Sequence, residues 1–304
     1  MREKIAAAVF ESLQEHGFRV QSFLGTHSCF DFVGRKNSEI VLVKVLENID
    51  GLREIQAIEL AKLSQLFNAL ALVVGEKSKS AKLEDGISYE RYGIACLSLE
   101  TFRQVLEKNL PFSKSFKGQN IAELDAKKLK AEREKRKLSL SELAEKVNLS
   151  PETLYRYEHG QGASLEKARA IEQALDVSLV KPVSLRAEPL EAGKGEEKKV
   201  EDRVLKQLRL LGIPFTSFAH APFKAYSLPS ESLLIEEAAQ SAELPHKAES
   251  LQKSAKAFQS HAVIFARESR KEKVGETPIV LESELHELKK GKALMKLVKK
   301  REKA

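Results

Sequence analysis

The sequence predicts a multidomain chain in which a central all-α helix-turn-helix domain is flanked by two α/β domains that repeat one another. Three observations carry this prediction. Between Leu138 and Gly160 the caps, small residues and apolar positions of a helix-turn-helix fall at the required spacing. Two stretches without apolar periodicity, at 111–122 and 183–199, set that region apart as linkers. The flanks on either side run through the same order of helical and strand-like segments. The boundaries that follow are 1–110, 123–182 and 200–288 for the three domains, with a basic tail at 289–304.

The first domain opens with a helix over Glu3–His16, whose apolar residues are interrupted by Glu and Gln, so it is amphipathic and not a signal peptide. Strand-like segments follow at Arg19–Leu24, Ser28–Val33 and Ile40–Leu46. A helix over Leu52–Leu66 leads to strands Ala69–Val74 and Ile94–Leu97, and Ser98 caps a last helix.

The central region is the most sharply specified. Ser139 and Glu142 form a capping box, which starts a helix at Leu140. Leu143, Ala144 and Val147 share one face of it, and Ala144 is small where a second helix must cross closely. Asn148 stands where the turn needs a left-handed residue. Leu149 plugs the turn, Ser150 caps the next helix, and Pro151 takes its first position, where a missing N–H is harmless. Leu154 and Tyr157 face the core, and Gly160 ends the helix. A helix over 129–137 precedes this unit, and another, capped by Ser164, follows it.

The third domain repeats the first. A helix over Val200–Leu211 precedes strands at Phe215–Phe218, Phe223–Tyr226 and Leu233–Ile235. Helix Pro245–Phe258, strands Ala262–Ala266 and Ile279–Leu281, and a helix capped by Ser283 complete it. The segment KLSQLFNALALVVGEKS, starting at Lys62, aligns without a gap on KSAKAFQSHAVIFARES, starting at Lys253.

The net charge of +7 over 304 residues is unevenly placed. The tail from Lys289 holds eight basic residues and one acid, which equals the whole excess. Such a tail is a solvated end or an arm for phosphates. Its Leu285, Leu288, Leu294, Leu297 and Val298 form an apolar face that could seal a homodimer. Cys29 and Cys96 sit in apolar surroundings with no metal-ligand spacing, as reduced core residues of a cytoplasmic protein do. No apolar run reaches the ~18–20 residues that span a bilayer. No histidine pairing, phosphate-cradling glycine loop or nucleophile elbow is present, so no catalytic residue, metal or cofactor is assigned.

From about Leu129 to Val180 these residues resemble the Cro/lambda-repressor class of helix-turn-helix domains. That resemblance implies that the outer face of the second helix reads double-stranded DNA in the major groove. The matching positions are Pro151, Glu152, Thr153, Tyr155, Arg156 and His159, with Ser141 from the first helix. Arg156 suits guanine O6 and N7, and Glu152 suits cytosine N4. The class often has Gln where this chain has Leu140, which puts one contact in doubt.

The flanks resemble the restriction-endonuclease-like fold of Holliday-junction resolvases, the first more clearly. That fold needs an acid at the end of one strand and acid-x-Lys on the next, to hold Mg²⁺ and support charge. Asp31 and Lys44 stand at the first and last of these positions, but Leu42 replaces the middle acid. Glu39 and Glu47 belong to the other face of the strand and do not substitute. In the second flank Lys224 falls near the place of Asp31. Asp31 and Lys44 are therefore read as a vestige, an ion pair or a backbone-contacting pair, and the chain as no enzyme.

Over nearly its whole length the architecture resembles archaeal helix-turn-helix transcriptional regulators. The function this implies is cytoplasmic, sequence-specific DNA binding by a homodimer, with no membrane partner. The alternatives are a metal-dependent, resolvase-like enzyme of nucleic-acid processing and a non-enzymatic interaction scaffold.

Overall fold

A computed structural model of the chain describes residues 1–116, 118–187, 203–227 and 231–303. The first part comprises α1 (Arg2–Glu15), β1 (Arg19–Ser22), β2 (Phe32–Lys36), β3 (Glu39–Val45), α2 (Glu54–Phe67), β4 (Leu70–Val74), β5 (Ile87–Arg91), β6 (Ile94–Leu97) and α3 (Leu99–Leu106). The middle holds β7 (Ser113–Phe116), β8 (Gln119–Ala122), α4 (Ala126–Lys135), α5 (Leu140–Lys146), α6 (Pro151–Glu158), β9 (Ala163–Ser164) and α7 (Leu165–Leu175). The last part holds α8 (Arg203–Leu210), β10 (Phe215–Ser217), β11 (Ala225–Ser227), β12 (Leu233–Ala238), α9 (Leu244–Phe258), β13 (His261–Ala266), β14 (Lys273–Val274), β15 (Thr277–Leu281), α10 (Glu282–Glu287) and α11 (Gly291–Lys303).

Where the sequence led us to expect successive domains, the chain crosses between two compact units. One is Met1–His16, Val45–Leu52 and Ala71–Glu188; the other is Gly17–Lys44, Arg53–Leu70 and Pro189–Ala304. The second expected linker, 183–199, lies outside the described residues from 188 onward.

In the first unit β6 runs parallel to β4 and antiparallel to β5. The stretch 111–122, expected to be a linker, is instead ordered secondary structure. β7 pairs parallel with β5, turns at Gly118 (φ 77°), and returns antiparallel as β8, which then takes β9. These strands read SKSF and QNIA and carry no apolar alternation, so nothing local announces them. β9 also means that the helix-turn-helix region is not purely helical. Its core gathers Leu129, Leu143, Ala144, Leu154, Tyr157, Ala168, Ile171 and Leu175 with Ala122, Leu124 and Ala163 from the strand side.

The exit from that core is held by Glu172. Its Oε1 accepts the N–H groups of Leu179 (2.6 Å) and Val180 (2.8 Å), and its Oε2 accepts from Arg169 (2.8 Å). Burial alone would raise this carboxyl. The Val180 and Leu179 N–H groups and the Arg169 guanidinium outweigh it and hold the pKa below the usual range.

In the second unit β1, β2 and β3 form an antiparallel meander, and so do β10, β11 and β12. β13 lies parallel between β12 and β15, and β14 closes the edge antiparallel to β15. Aromatic rings from α2 and α9 meet here. Phe67 stacks on Phe258 with centroids 4.0 Å apart, and Phe258 also meets Phe30 and Phe223 edge-on. Arg35 adds bonds to the Ala257 carbonyl (3.3 Å) and to Gln259 (2.7 Å).

Three expectations need correction, the last of them in both units. The tail is not a free arm, and its apolar face is covered within the same chain. From Gly291 it is a helix whose Leu294, Met295 and Val298 are buried against Val263, Phe265, Val280 and Leu285 of the same chain, with Leu288 and Leu297 packed alongside. Arg301 is buried too, donating to the Ile279 carbonyl (2.6 Å) and to both oxygens of Glu284 (3.0 and 2.7 Å). Helix α10 begins before Ser283, because the Leu281 N–H finds Glu284 (2.8 Å) and closes the first turn two residues earlier. Strands β5 and β14 have no counterpart in the expected element order; each is short and is made by its neighbours.

Two outcomes follow for stability. Phe258→Ala removes a side chain with 5% exposure and should lower unfolding free energy by about 3–5 kcal/mol in denaturant titration. The stabilisation from Glu172, whose pKa is lowered by folding, is present above the ordinary carboxyl pKa and is lost as pH falls through the folded value. Glu172→Gln should cost about 1–3 kcal/mol at neutral pH, and its stability should fall less steeply on acidification than that of the parent, followed by circular dichroism.

Candidate nucleic-acid interface

The helix-turn-helix is built from caps outward. Ser139 Oγ accepts the Glu142 N–H (3.1 Å) while Glu142 accepts the Ser139 N–H (2.7 Å), so the first turn of α5 is closed from both sides. Asn148 sits at φ 51° and lets the chain turn from α5 to α6. Ser150 accepts the Thr153 N–H at 3.1 Å, and Pro151 begins α6. Gly160 at φ 90° ends it. Ala144 has no exposed surface, so any larger side chain there would push α5 and α6 apart.

One contact in this domain has no local signal. Arg133 on α4 grips Glu158 at the end of α6 through Nε (2.6 Å) and Nη2 (3.0 Å), and its Nη1 donates to the Leu138 carbonyl (2.9 Å). Both side chains are buried. The Glu158 carboxylate raises the Arg133 pKa, so the guanidinium is charged at every accessible pH. Arg136, one turn on, caps α7 through the Leu175 carbonyl.

The positions singled out from sequence lie as follows. Pro151, Glu152, Tyr155, Arg156 and His159 are exposed along α6, and Ser141 is exposed near the start of α5. Thr153 is half-buried, its hydroxyl 2.8 Å from the capping Ser150 Oγ, so it serves the cap first. Glu152 and Arg156 form an ion pair one turn apart on the outer face. Being exposed, that pair contributes little to stability, and each group can change partner when a base edge is offered. Tyr155 is 50% exposed and stacks on His159, whose Nδ1 lies 2.7 Å from the Tyr155 carbonyl. The two rings form a flat shelf on the same helix.

Asp31 and Lys44 come together in the other unit. Lys44 Nζ is 3.3 Å from Asp31 Oδ1 and donates to the Ser28 carbonyl at 2.9 Å. Both are buried, as is Leu42 beside them in sequence. Glu59, on α2, spends both carboxylate oxygens on the N–H groups of Ala219 (2.5 Å) and His220 (2.6 Å). The His220 carbonyl in turn accepts from the Cys29 N–H (2.5 Å). Burial, with Glu59 next, pushes the Cys29 thiol far above its ordinary value, so it is inert. A divalent cation does not fit this arrangement. A single acid, Asp31, faces a lysine, and Glu59 is already engaged with backbone. Among the described residues no three His, Cys, Asp or Glu side chains gather as a metal site.

The C-terminal strands make a similar backbone contact, but the ion pairs around it differ. The Asp31 N–H donates to the Val43 carbonyl, the residue before Lys44; the Lys224 N–H donates to the Ile235 carbonyl, the residue before Glu236. Lys224 pairs with Glu237, and Lys247 reaches Glu236 (3.5 Å) and Glu243 (3.1 Å). Burial raises the Glu236 carboxyl. These residues line an open cavity of about 490 Å³ with Phe218 and Phe223.

Residues 2–111 match the PD-(D/E)XK superfamily domain, and residues 129–181 match a helix-turn-helix domain. No solved structure matches the chain. A protein of Archaeoglobus fulgidus named "Putative HTH-type transcriptional regulatory protein" is 30% identical over 99% of both chains. One of the same name from Pyrococcus horikoshii is 33% identical over 98% of both. Another from Methanocaldococcus jannaschii is 36% identical over 74% of this chain and 72% of its own. Among the described residues no helix is long and apolar enough to cross a membrane. The chain belongs to this archaeal family of HTH-type transcriptional regulatory proteins.

Proposed function

We propose that the chain is a cytoplasmic, sequence-specific regulator of transcription that binds double-stranded DNA with α6 in the major groove. The observation that carries this is the outer face of α6. It presents Glu152, Tyr155, Arg156 and His159 to solvent while Arg133 and Glu158 clamp its inner side. A helix held that firmly presents its side chains to base edges at little ordering cost. Arg156 takes guanine as a bidentate donor and Glu152 accepts from cytosine. Pro151, Thr153 and Ser141 lie where α5 and the start of α6 approach the phosphate backbone. One such module contacts few base pairs, so the protein acts as a homodimer on two half-sites about 34 Å apart. The dimer surface is one other than α11, whose apolar side is already covered.

The nuclease-like part has no hydrolytic role in this reading. Support comes from the buried Asp31–Lys44 pair, from Leu42 where a second acid is needed, and from Glu59 bound to backbone. The C-terminal α/β part is a second copy of it. β10–β12 repeat the antiparallel pairing of β1–β3, and β13–β15 repeat that of β4–β6. Phe67 and Phe258, equivalent in the ungapped alignment, stack on each other. The PD-(D/E)XK match favours one rival, a metal-dependent nuclease.

Two measurements test these readings. Selection from a random duplex pool should return a site with dyad symmetry, and Arg156→Ala should weaken binding to it by about 1–3 kcal/mol and relax one base position. Unchanged preference in that variant would mean α6 does not read bases. Incubation with branched and linear DNA in Mg²⁺ or Mn²⁺ should give no cleavage. Cutting that Asp31→Ala abolishes would establish the rival instead.

A further inference from the structure

The charge of the tail is not explained by its fold. Arg301 is consumed by Glu284 and Glu272, Lys299 by Glu231, and Glu302 by His261. Six lysines remain exposed: Lys289, Lys290, Lys292, Lys296, Lys300 and Lys303. The last four are spaced by four, four and three residues on α11, so they form a single stripe on the face opposite Leu294 and Val298. Among the described residues no carboxylate pairs with any of these four.

Helix stability does not account for this stripe. Lys300 and Lys303 suit the negative end of the helix, but Lys292 and Lys296 lie in its first half, where the macrodipole disfavours cations. Lys292, Lys296 and Lys300 are also like charges one turn apart, which destabilises by a few tenths of a kcal/mol per pair. A face kept only for solubility would mix Glu among the lysines, as the remainder of this near-neutral chain does. The pattern costs the helix something and is matched by an extended polyanion.

We propose that the lysine face of α11 is a second, sequence-independent contact surface for the phosphate backbone of duplex DNA. α11 is about 20 Å long, a distance over which duplex DNA carries about a dozen phosphate charges. Four flexible ammonium groups along that length bind as point charges and read no bases. The choice of duplex DNA as the polyanion rests on the regulator reading; the charge argument does not.

The test compares the full-length protein with a variant carrying Lys292→Gln, Lys296→Gln, Lys300→Gln and Lys303→Gln, and in parallel with Arg156→Ala. Binding to the selected duplex and to a scrambled duplex is measured across salt concentrations. The lysine variant should keep its melting temperature, lose about tenfold or more on both duplexes at low salt, and show a slope of log K against log salt shallower by about two to four. Arg156→Ala should leave that slope within about one of the parent and lose only preference. If preference does not change in Arg156→Ala while the lysine variant flattens the slope, the base-reading proposal falls and this one stands. An unchanged slope in the lysine variant overturns it, as does absence of any duplex binding by the parent. A third overturning result is lysine-dependent binding to vesicles of phosphatidylserine and phosphatidylcholine with DNA binding unaffected, which assigns the face to membranes.

Discussion

The outer face of α6 depends on one buried ion pair, Arg133 to Glu158. Removing two charges from water is expensive, and the pair repays this only because its geometry is bidentate and Arg133 has a further acceptor in the Leu138 carbonyl. Losing either partner would strand a charge in the core of a small domain, at a cost of about 3–5 kcal/mol. A hydrophobic pair would pack as well but would not fix direction. Arg133 is on α4 and Glu158 on the last turn of α6, so the contact sets the rotation of α6 about its own axis. That rotation decides whether Arg156 and Glu152 point outward together.

In the nuclease-like framework the acidic and basic side chains are spent on one another and on backbone. The strands that would aim carboxylates at a metal are intact, and Asp31 is still backbone-paired to Val43. What differs is the use of the side chains. Lys44 neutralises Asp31, and Glu59 ties down the backbone of Ala219 and His220. In the C-terminal strands Lys224 pairs with Glu237, and Lys247 reaches Glu236. A metal requires carboxylates specifically, and here each of these carboxylates already has a lysine or backbone partner.

How much of this is legible in the residues depends on how local each determinant is. Caps and turns are set within four residues, so Ser139, Glu142, Asn148, Ser150, Pro151 and Gly160 can be assigned from the chain's chemistry alone. The helix after Ser164 and the strands of both flanks other than β5 and β14 are also readable, because apolar runs bounded by turn residues report on themselves. Pairings distant in sequence are not. Arg133 and Glu158 are 25 residues apart on different helices, and nothing in either neighbourhood selects the other. Strands β7 and β8 escape a sequence reading because short strands with polar residues take their register from the partners on either side. The tail face of Leu294 and Val298 is visible in the sequence but its destination is not, since an amphipathic helix looks the same whether it covers its own sheet or a second chain.

The β7–β8 hairpin changes how the DNA-binding module must be pictured. Strand β8 pairs with β9, which leads directly into α7, and β7 pairs with β5 of the α/β sheet, so a hydrogen-bonded ladder runs from that sheet to the base of the helix-turn-helix. The chain leaving the module follows the chain entering it, with the Leu179 carbonyl accepting from the Asp125 N–H, that of Glu123 from Lys181 and that of Pro111 from Val183. Two antiparallel crossings of this kind restrain twist as well as position. A regulator with its reading head on a flexible tether pays the entropy of fixing that head each time it binds, and tolerates variable half-site spacing. Here the ladder has settled the orientation of α6 relative to its own sheet before any DNA arrives. In the proposed homodimer the spacing between two such heads would be dictated by the surface that joins the copies, and not by a tether.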